Sequence, residues 1–219
     1  MLFPYLCENE TNKVMAYTKY KKLEQLRNDF SLNDLQISFL PDEFPIFKVT
    51  QHLLDDLNEA KGEALGTEKA KSEQIITPIL KELRRHHPLS FKYFSGYEFN
   101  VDSDKNLNGY CDFILSLEAQ KMEITAPIFC VVEAKDEKIE KGLAQCGAAM
   151  YAAQLFNERK GNPKKVIYGC VTNAFSWCFM KLESKTLYID TNYIPLTFAE
   201  PHKVLAVLQW ILDVSLANK

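Results

Sequence analysis

Along this chain apolar residues recur with two different periods, and each change of period marks a new element. Over residues 63–87, Ile76, Leu80 and Leu83 return at helical spacing, which predicts one long helix. Pro78 removes a backbone donor and should kink it. Over 91–101 the pattern changes to alternating aromatics, Phe91, Tyr93, Tyr97 and Phe99, as in a strand. Residues 102–109 then make a hairpin connection; its aspartates belong to turn chemistry, because the spacing that follows does not fit a calcium loop. Two apolar runs come next, GYCDFILSL from Gly109 and IFCVVEAK from Ile128, with a polar loop at 118–123 between them. These predict three sequential strands in an antiparallel meander.

A helix is predicted over 138–158, rich in small residues that let it approach a sheet closely. Gly147 lowers helix propensity there, so close packing is the expected reason for it. Strands are expected at 166–172, 178–182 and 187–189. Pro201 opens a last helix with Val204, Leu208, Ile211 and Leu212 facing inward. Residues 1–62 form a mixed lead-in: a charged helix over 13–29, a loop punctuated by Pro41 and Pro45, and a short helix capped by Thr50 that turns Leu53, Leu54 and Leu57 inward. No chemistry is visible in this lead-in, which is expected to pack on the core as extra layers.

The two apolar runs break their own pattern. Each carries an acid where a buried strand ordinarily has none: Asp112 in the first, Glu133 in the second. Strand alternation points Glu133 and Lys135 the same way and Ala134 the other. If the runs pair, Asp112 comes alongside, and two carboxylates and an ammonium meet at one sheet edge. An acid-x-Lys spacing by itself says little, since it occurs five times in the chain; only Glu133-x-Lys135 follows a continuous apolar run, Ile128 to Val132.

Composition sets the bounds. The chain has 219 residues, 47% of them hydrophobic, enough for one sizeable core. Its net charge of −3 argues against coating nucleic acid by charge alone and leaves room for a local basic groove. Six cysteines lie scattered, mostly in apolar runs and without CxxC spacing, as small buried residues of a reducing compartment do. The N-terminus lacks the features of a secretion signal, and no apolar run nears the roughly 18 residues of a membrane span. A cytoplasmic location is the expectation.

Gly109, Asp112, Glu133, Ala134, Lys135 and Gln145 together follow a pattern, G-x-x-D in one apolar strand, E-A-K ending the next, then Q on a helix. This pattern resembles the core of the PD-(D/E)XK nuclease superfamily, the restriction-endonuclease-like fold, and is similar to the nuclease domains of type I restriction subunits. The resemblance covers roughly residues 63–182. It implies an α/β (α+β) fold, a central mixed sheet flanked by helices, with residues 1–62 as an extra N-terminal segment packed on a nuclease-like domain at 63–219, the whole a single globular unit. It also implies a metal-dependent nuclease acting on DNA, with RNA and a homodimer left open. Mg²⁺ or Mn²⁺ would be held by Asp112, Glu133 and the Ala134 carbonyl, with Lys135 supporting the attacking water and Gln145 bordering the site. Members of this superfamily carry a glutamate on the helix before the core sheet. Glu73, on the apolar stripe, is the candidate, with Glu68 as fallback.

The family's frequent Q-x-x-x-Y continuation is broken here. Ala149 occupies the tyrosine position and Tyr151 follows two residues later. Basic residues at 81–87 suit a helix C-terminus on dipole grounds alone. Arg84 and Arg85, with Lys164 and Lys165 in the basic loop 159–165, are candidate nucleic-acid contacts. His86 and His87, adjacent on a helix, make a poor metal pair. An alternative reading from another class is a non-cleaving module that keeps the fold to bind nucleic acid or protein; it has no need of an intact Asp112, Glu133 and Lys135.

Overall fold

The computed structural model describes residues 17–218. After a short 3-10 turn (Tyr17–Lys19) come α1 (Leu23–Phe30), β1 (Asn33–Gln36) and α2 (Gln51–Ala60). Then α3 (Glu68–Lys71), a π turn (Ser72–Ile76) and α4 (Thr77–His86) follow one another without a break. The strands β2 (Lys92–Glu98), β3 (Tyr110–Ser116) and β4 (Ile128–Ala134) precede α5 (Glu140–Arg159). β5 (Val166–Thr172), β6 (Ser176–Glu183), β7 (Thr186–Ile189), β8 (Ile194–Pro195) and α6 (His202–Ala217) complete the chain.

The strands form one mixed sheet in the order β1-β7-β6-β5-β4-β3-β2, with β8 on β6. β2, β3 and β4 pair antiparallel, the expected meander. β4 and β5 lie parallel across α5, as a strand–helix–strand crossover requires. One face packs against α2, α4 and α6, through Leu53, Leu57, Ile79, Leu83, Val204 and Leu208. The other packs against α1 and α5, through Leu26, Met150 and Ala152. Helices thus cover both faces, which is why β4 and β5 are nearly continuous apolar runs.

The small residues of α5 do what their size allows. A β-carbon on Gly147 would come within 2.7 Å of Leu26 and 3.0 Å of Leu187, so the helix sits closer to α1 and the sheet than any larger residue permits. Thr50 caps α2, accepting the Leu53 amide, and Leu53 and Leu57 are buried while Leu54 is only partly so. Five cysteines are buried and unpaired; Cys7 lies outside the described residues. The helix expected over 13–29 appears, within the described residues, as the 3-10 turn and α1. β1, a polar tetrapeptide paired parallel with β7, has no apolar alternation to announce it.

The long helix expected over 63–87 begins at Glu68, where Thr67 caps it by accepting the Ala70 amide. Pro78 cannot donate to Gln74, and the turn before it widens: the Thr77 amide bonds the Ser72 carbonyl, five residues back. One extra residue in a turn rotates everything ahead of it by up to roughly 100°. Among the described residues no helix is long and apolar enough to cross a membrane.

Candidate active site

The sheet opens where β3 and β4 reach the acids. Regular pairing runs to Phe113 opposite Val132. One step further, Asp112 and Glu133 face each other, but no ladder bond joins their strands there; instead the Ala134 amide donates to Asp112 Oδ2 at 2.8 Å. The strands splay, and a carboxylate side chain takes the place of a backbone partner. In a strand a residue's N–H and C=O point to the same side. The Ala134 carbonyl therefore lies on the Asp112 side of β4.

Gly109 starts this arrangement. Its φ of 122° is open to glycine and strained for other residues, and its amide bonds Asn100 Oδ1 at 2.9 Å as the chain turns into β3. On the far side of β4, the Lys135 amide donates to the Thr172 carbonyl at 2.8 Å, extending the β4–β5 pairing one residue past the strand. Asn173 and Lys71 hold the loop that follows, bonding the carbonyls of Glu137 and Asp136.

Strand alternation places Glu133 and Lys135 on the α5 face, and Lys135 Nζ donates to Glu133 Oε1 at 2.6 Å. Lys135 runs past the first turn of α5. A β-carbon on Gly142 would lie 2.6 Å from Val171 and 3.1 Å from two carbons of the lysine stem, so glycine makes room for the side chain. Glu68 Oε1 stands 4.0 Å from the same ammonium.

Burial and neighbouring charges set the protonation of Asp112, Glu133 and Lys135. Burial first, then the negative field of Asp112, pushes Glu133 up to about 8, with Lys135 and its hydrogen bond pulling the other way. Burial also raises Asp112, opposed by the Ala134 amide and by Lys135. For Lys135, burial works against the charge, but Glu133, Glu68 and Asp112 outweigh it, and the ammonium is held above its usual range. The ammonium form of Lys135 is thus favoured, and its Nζ donates to Glu133.

The cleft around these groups encloses about 600 Å³ and is lined by Thr18, Lys21, Glu68, Tyr110, Lys141 and Gln145 in addition to the Asp112–Glu133–Lys135 cluster. An adjoining hollow of about 370 Å³ shares Glu68 and Asp112 and continues along Ser72, Ser95 and Gly96. Gly96 falls opposite Asp112 in the β2–β3 register and adds no side chain to block it. Gln145 is largely covered, and its amide makes no hydrogen bond to another described residue, leaving it to the cleft. A separate cleft of about 560 Å³ between the proline loop and α6 has Asp42 as its one carboxylate. Among the described residues no three His, Cys, Asp or Glu side chains converge tightly enough to hold a metal alone. The donor set is two carboxylates and a carbonyl, which suits a hard cation that keeps waters or takes ligands from a phosphate substrate.

Several candidates stand outside the main cleft. Glu73 lines the adjoining hollow with Glu68 and Asp112, and pairs with Lys69 at 3.9 Å with 60% of its side chain exposed. The π turn explains it. The rotation takes Glu73 off the apolar stripe and brings Glu68 round to Lys135, so Glu68 is the helix glutamate at the cleft. Lys164 is buried, donating to the carbonyls of Ser215 and Asn218 at the end of α6, and has no surface to offer nucleic acid. Lys165 pairs with Glu183 at the start of β5, roughly 20 Å from the Thr172 end by strand rise. Arg84 bonds the His87 carbonyl and Arg85 pairs with the buried Glu82, about 25 Å along the helix from Glu68. Tyr151 packs on Phe30 and accepts from Lys185, away from the cleft. Thr18, Lys21 and Lys141 were not foreseen as site residues, and nothing in their sequence surroundings sets them apart from other polar residues.

No protein-family model matches this chain, and no curated protein does. Among solved structures the fold is similar to that of the type IIG restriction endonuclease BpuSI, at 18% identity and a TM-score of 0.50, over 71% of this chain. The chain corresponds to 18% of the length of that structure's chain, and at that identity the likeness speaks for the fold. The mixed sheet with helices on both faces is thus a restriction-endonuclease-like architecture.

Proposed function

We propose that this protein is a metal-dependent nuclease that hydrolyses phosphodiester bonds of DNA. The observation that carries this reading is the junction of β3 and β4, where Asp112 and Glu133 lie side by side with Lys135 Nζ 2.6 Å from Glu133. The likeness to a restriction endonuclease agrees with it. Burial raises both carboxyls and the field of Asp112 raises Glu133 further, an environment that a divalent cation relieves. Asp112, Glu133 and the Ala134 carbonyl would hold Mg²⁺ or Mn²⁺. Such an ion supplies neutralising charge for a phosphodiester and a more acidic water at neutral pH.

The chain's own residues divide the remaining work. Lys135, kept protonated by its carboxylate neighbours, donates to the attacking water and opposes the negative charge that develops beside it. Glu68 holds the ammonium from the second side. The Ala134 amide fixes the Asp112 carboxylate, and Gln145 offers an amide to whatever enters.

Calorimetric titration of Mn²⁺ in the presence of a phosphorothioate DNA duplex, on the wild type and an Asp112→Asn/Glu133→Gln double variant, tests the site. Binding that disappears in the double variant is expected. Cleavage assays complete the test: Asp112→Ala and Lys135→Ala should each lose about a hundredfold or more in rate. Full cleavage by folded Asp112→Ala protein would overturn the assignment.

A further inference from the structure

The cleft has a feature its catalytic core does not explain. Its floor carries three carboxylates, Glu68, Asp112 and Glu133, against the single ammonium of Lys135. A phosphodiester is an anion, and the chain as a whole, at net charge −3, gives it no attraction. Cations must come from the cleft itself. Two stand on its wall, Lys21 and Lys141, both exposed. Among the described residues neither ammonium has a carboxylate within 4 Å, although acids line the same cleft.

Lys21 is not a loose surface lysine. Its amide donates to Gln25 Oε1 at 2.7 Å, in the hydrogen-bonded cap that starts α1. Just before it, Tyr17 and Tyr20 are almost wholly buried. The Tyr17 hydroxyl donates to the Phe99 carbonyl at 2.8 Å, its amide to Asn108 at 3.2 Å, and the Tyr20 hydroxyl to Lys105 at 3.0 Å. All three acceptors lie on the hairpin that leads into Asp112. The segment 17–21 is thus stapled to the strand that carries the first acid. Lys141 is fixed through its backbone, whose amide donates to the Lys138 carbonyl at 3.2 Å. It neighbours Gly142, the residue that lets Lys135 through, at the start of α5.

We infer that Lys21 and Lys141 form a phosphate-binding subsite, holding the nucleic-acid backbone beside the scissile bond, so that the N-terminal segment completes the substrate site. This rests on the nuclease reading and adds to it a part of the substrate's footprint. Contacts of this kind are sequence-independent and position the substrate without taking part in the chemistry.

The test is binding of a short fluorescein-labelled phosphorothioate duplex, whose charged backbone resists hydrolysis, to the full chain with Mn²⁺ across a salt series. Lys21→Gln and Lys141→Gln should each weaken binding several-fold and lower the slope of log K against log salt by about one. Lys21→Arg/Lys141→Arg should restore both. In cleavage, the glutamine variants should raise KM and leave kcat close to wild type. Lys160→Gln, on an exposed turn beyond α5, should change nothing. Melting temperatures guard against misfolding, and both lysines are exposed enough for the variants to fold. Wild-type binding and cleavage with unchanged affinity and salt slope in Lys21→Gln/Lys141→Gln would overturn this inference and leave the nuclease reading standing. No binding or cleavage by the wild type would overturn both.

Discussion

Glu133 is almost completely withdrawn from water, and the consequence is measurable without any substrate. Burial and the field of Asp112 raise its protonation point to about 8. A carboxyl raised in the folded state binds its proton more tightly folded than unfolded. Its contribution therefore favours the fold at low pH and is lost as pH rises through about 8. Wild-type melting temperature should fall between about pH 5 and about pH 8, and Glu133→Gln should flatten that fall and melt higher than wild type at the upper end. Equal slopes in the two proteins would show that Glu133 does not titrate there. Gly142 gives a second residue-scale expectation. A methyl group at this position meets Val171 at 2.6 Å and the Lys135 stem at 3.1 Å. Gly142→Ala should cost about 1–3 kcal/mol in urea denaturation and reduce cleavage by displacing Lys135. A neutral effect on both would mean that the close approach is easily relaxed.

At the scale of elements, two devices set the position of the helix that carries Glu68. One is Glu82, on α4 and fully buried, which accepts the Thr50 amide at 2.7 Å and the Thr50 hydroxyl at 2.9 Å and pairs with Arg85. It ties the start of α2 to α4. Burial raises its protonation point, but the Thr50 bonds and Arg85 outweigh burial and hold it below the usual carboxylate range. Its stabilisation is present above the unfolded carboxylate value and is lost as pH falls through the depressed one. Glu82→Gln should cost about 1–3 kcal/mol near neutral pH, with a gap to wild type that closes in acid. A gap constant with pH would rule out the charge as its source. The other device is the π turn ahead of Pro78. Pro78→Ala restores the missing donor, allowing a regular turn that would swing Glu68 away from Lys135. Helix content by circular dichroism should hold while Mn²⁺ affinity with the duplex falls.

At the scale of the whole molecule, the lead-in is part of the folded core. Leu26, Phe30, Leu32, Leu53 and Leu57 from this region are buried in the two cores, and β1 forms one edge of the sheet. Each such side chain contributes about 1.5–3 kcal/mol on burial, and together they rival the roughly 5–15 kcal/mol that hold a domain folded. A fragment covering 63–219 alone should therefore show no cooperative thermal transition. A sharp transition from that fragment would mean that the core stands without its lead-in.

Much of this molecule was determined by local chemistry that the sequence carries in plain sight. The apolar runs around Asp112 and Glu133 predicted β3 and β4, because a strand's period of two and its burial are written in consecutive residues. The same alternation predicted that Glu133 and Lys135 share a face, and the small residues of α5 predicted close packing. Pro78 announced a disturbance in its helix, though not its form. The π turn goes with Glu68 rather than Glu73 standing beside Lys135, because one extra residue in a turn is invisible in the spacing yet rotates the helix ahead of it. Lys164, polar and next to a second lysine, looked like surface until the end of α6 closed over it. β1 had no apolar pattern, since an edge strand held by β7 needs none. Lys21 and Lys141 lie far apart in sequence and meet at one cleft only because two tyrosines fasten the N-terminal segment to the hairpin before Asp112. Contacts between distant segments depend on how the elements pack, and that is the part only the tertiary structure decided.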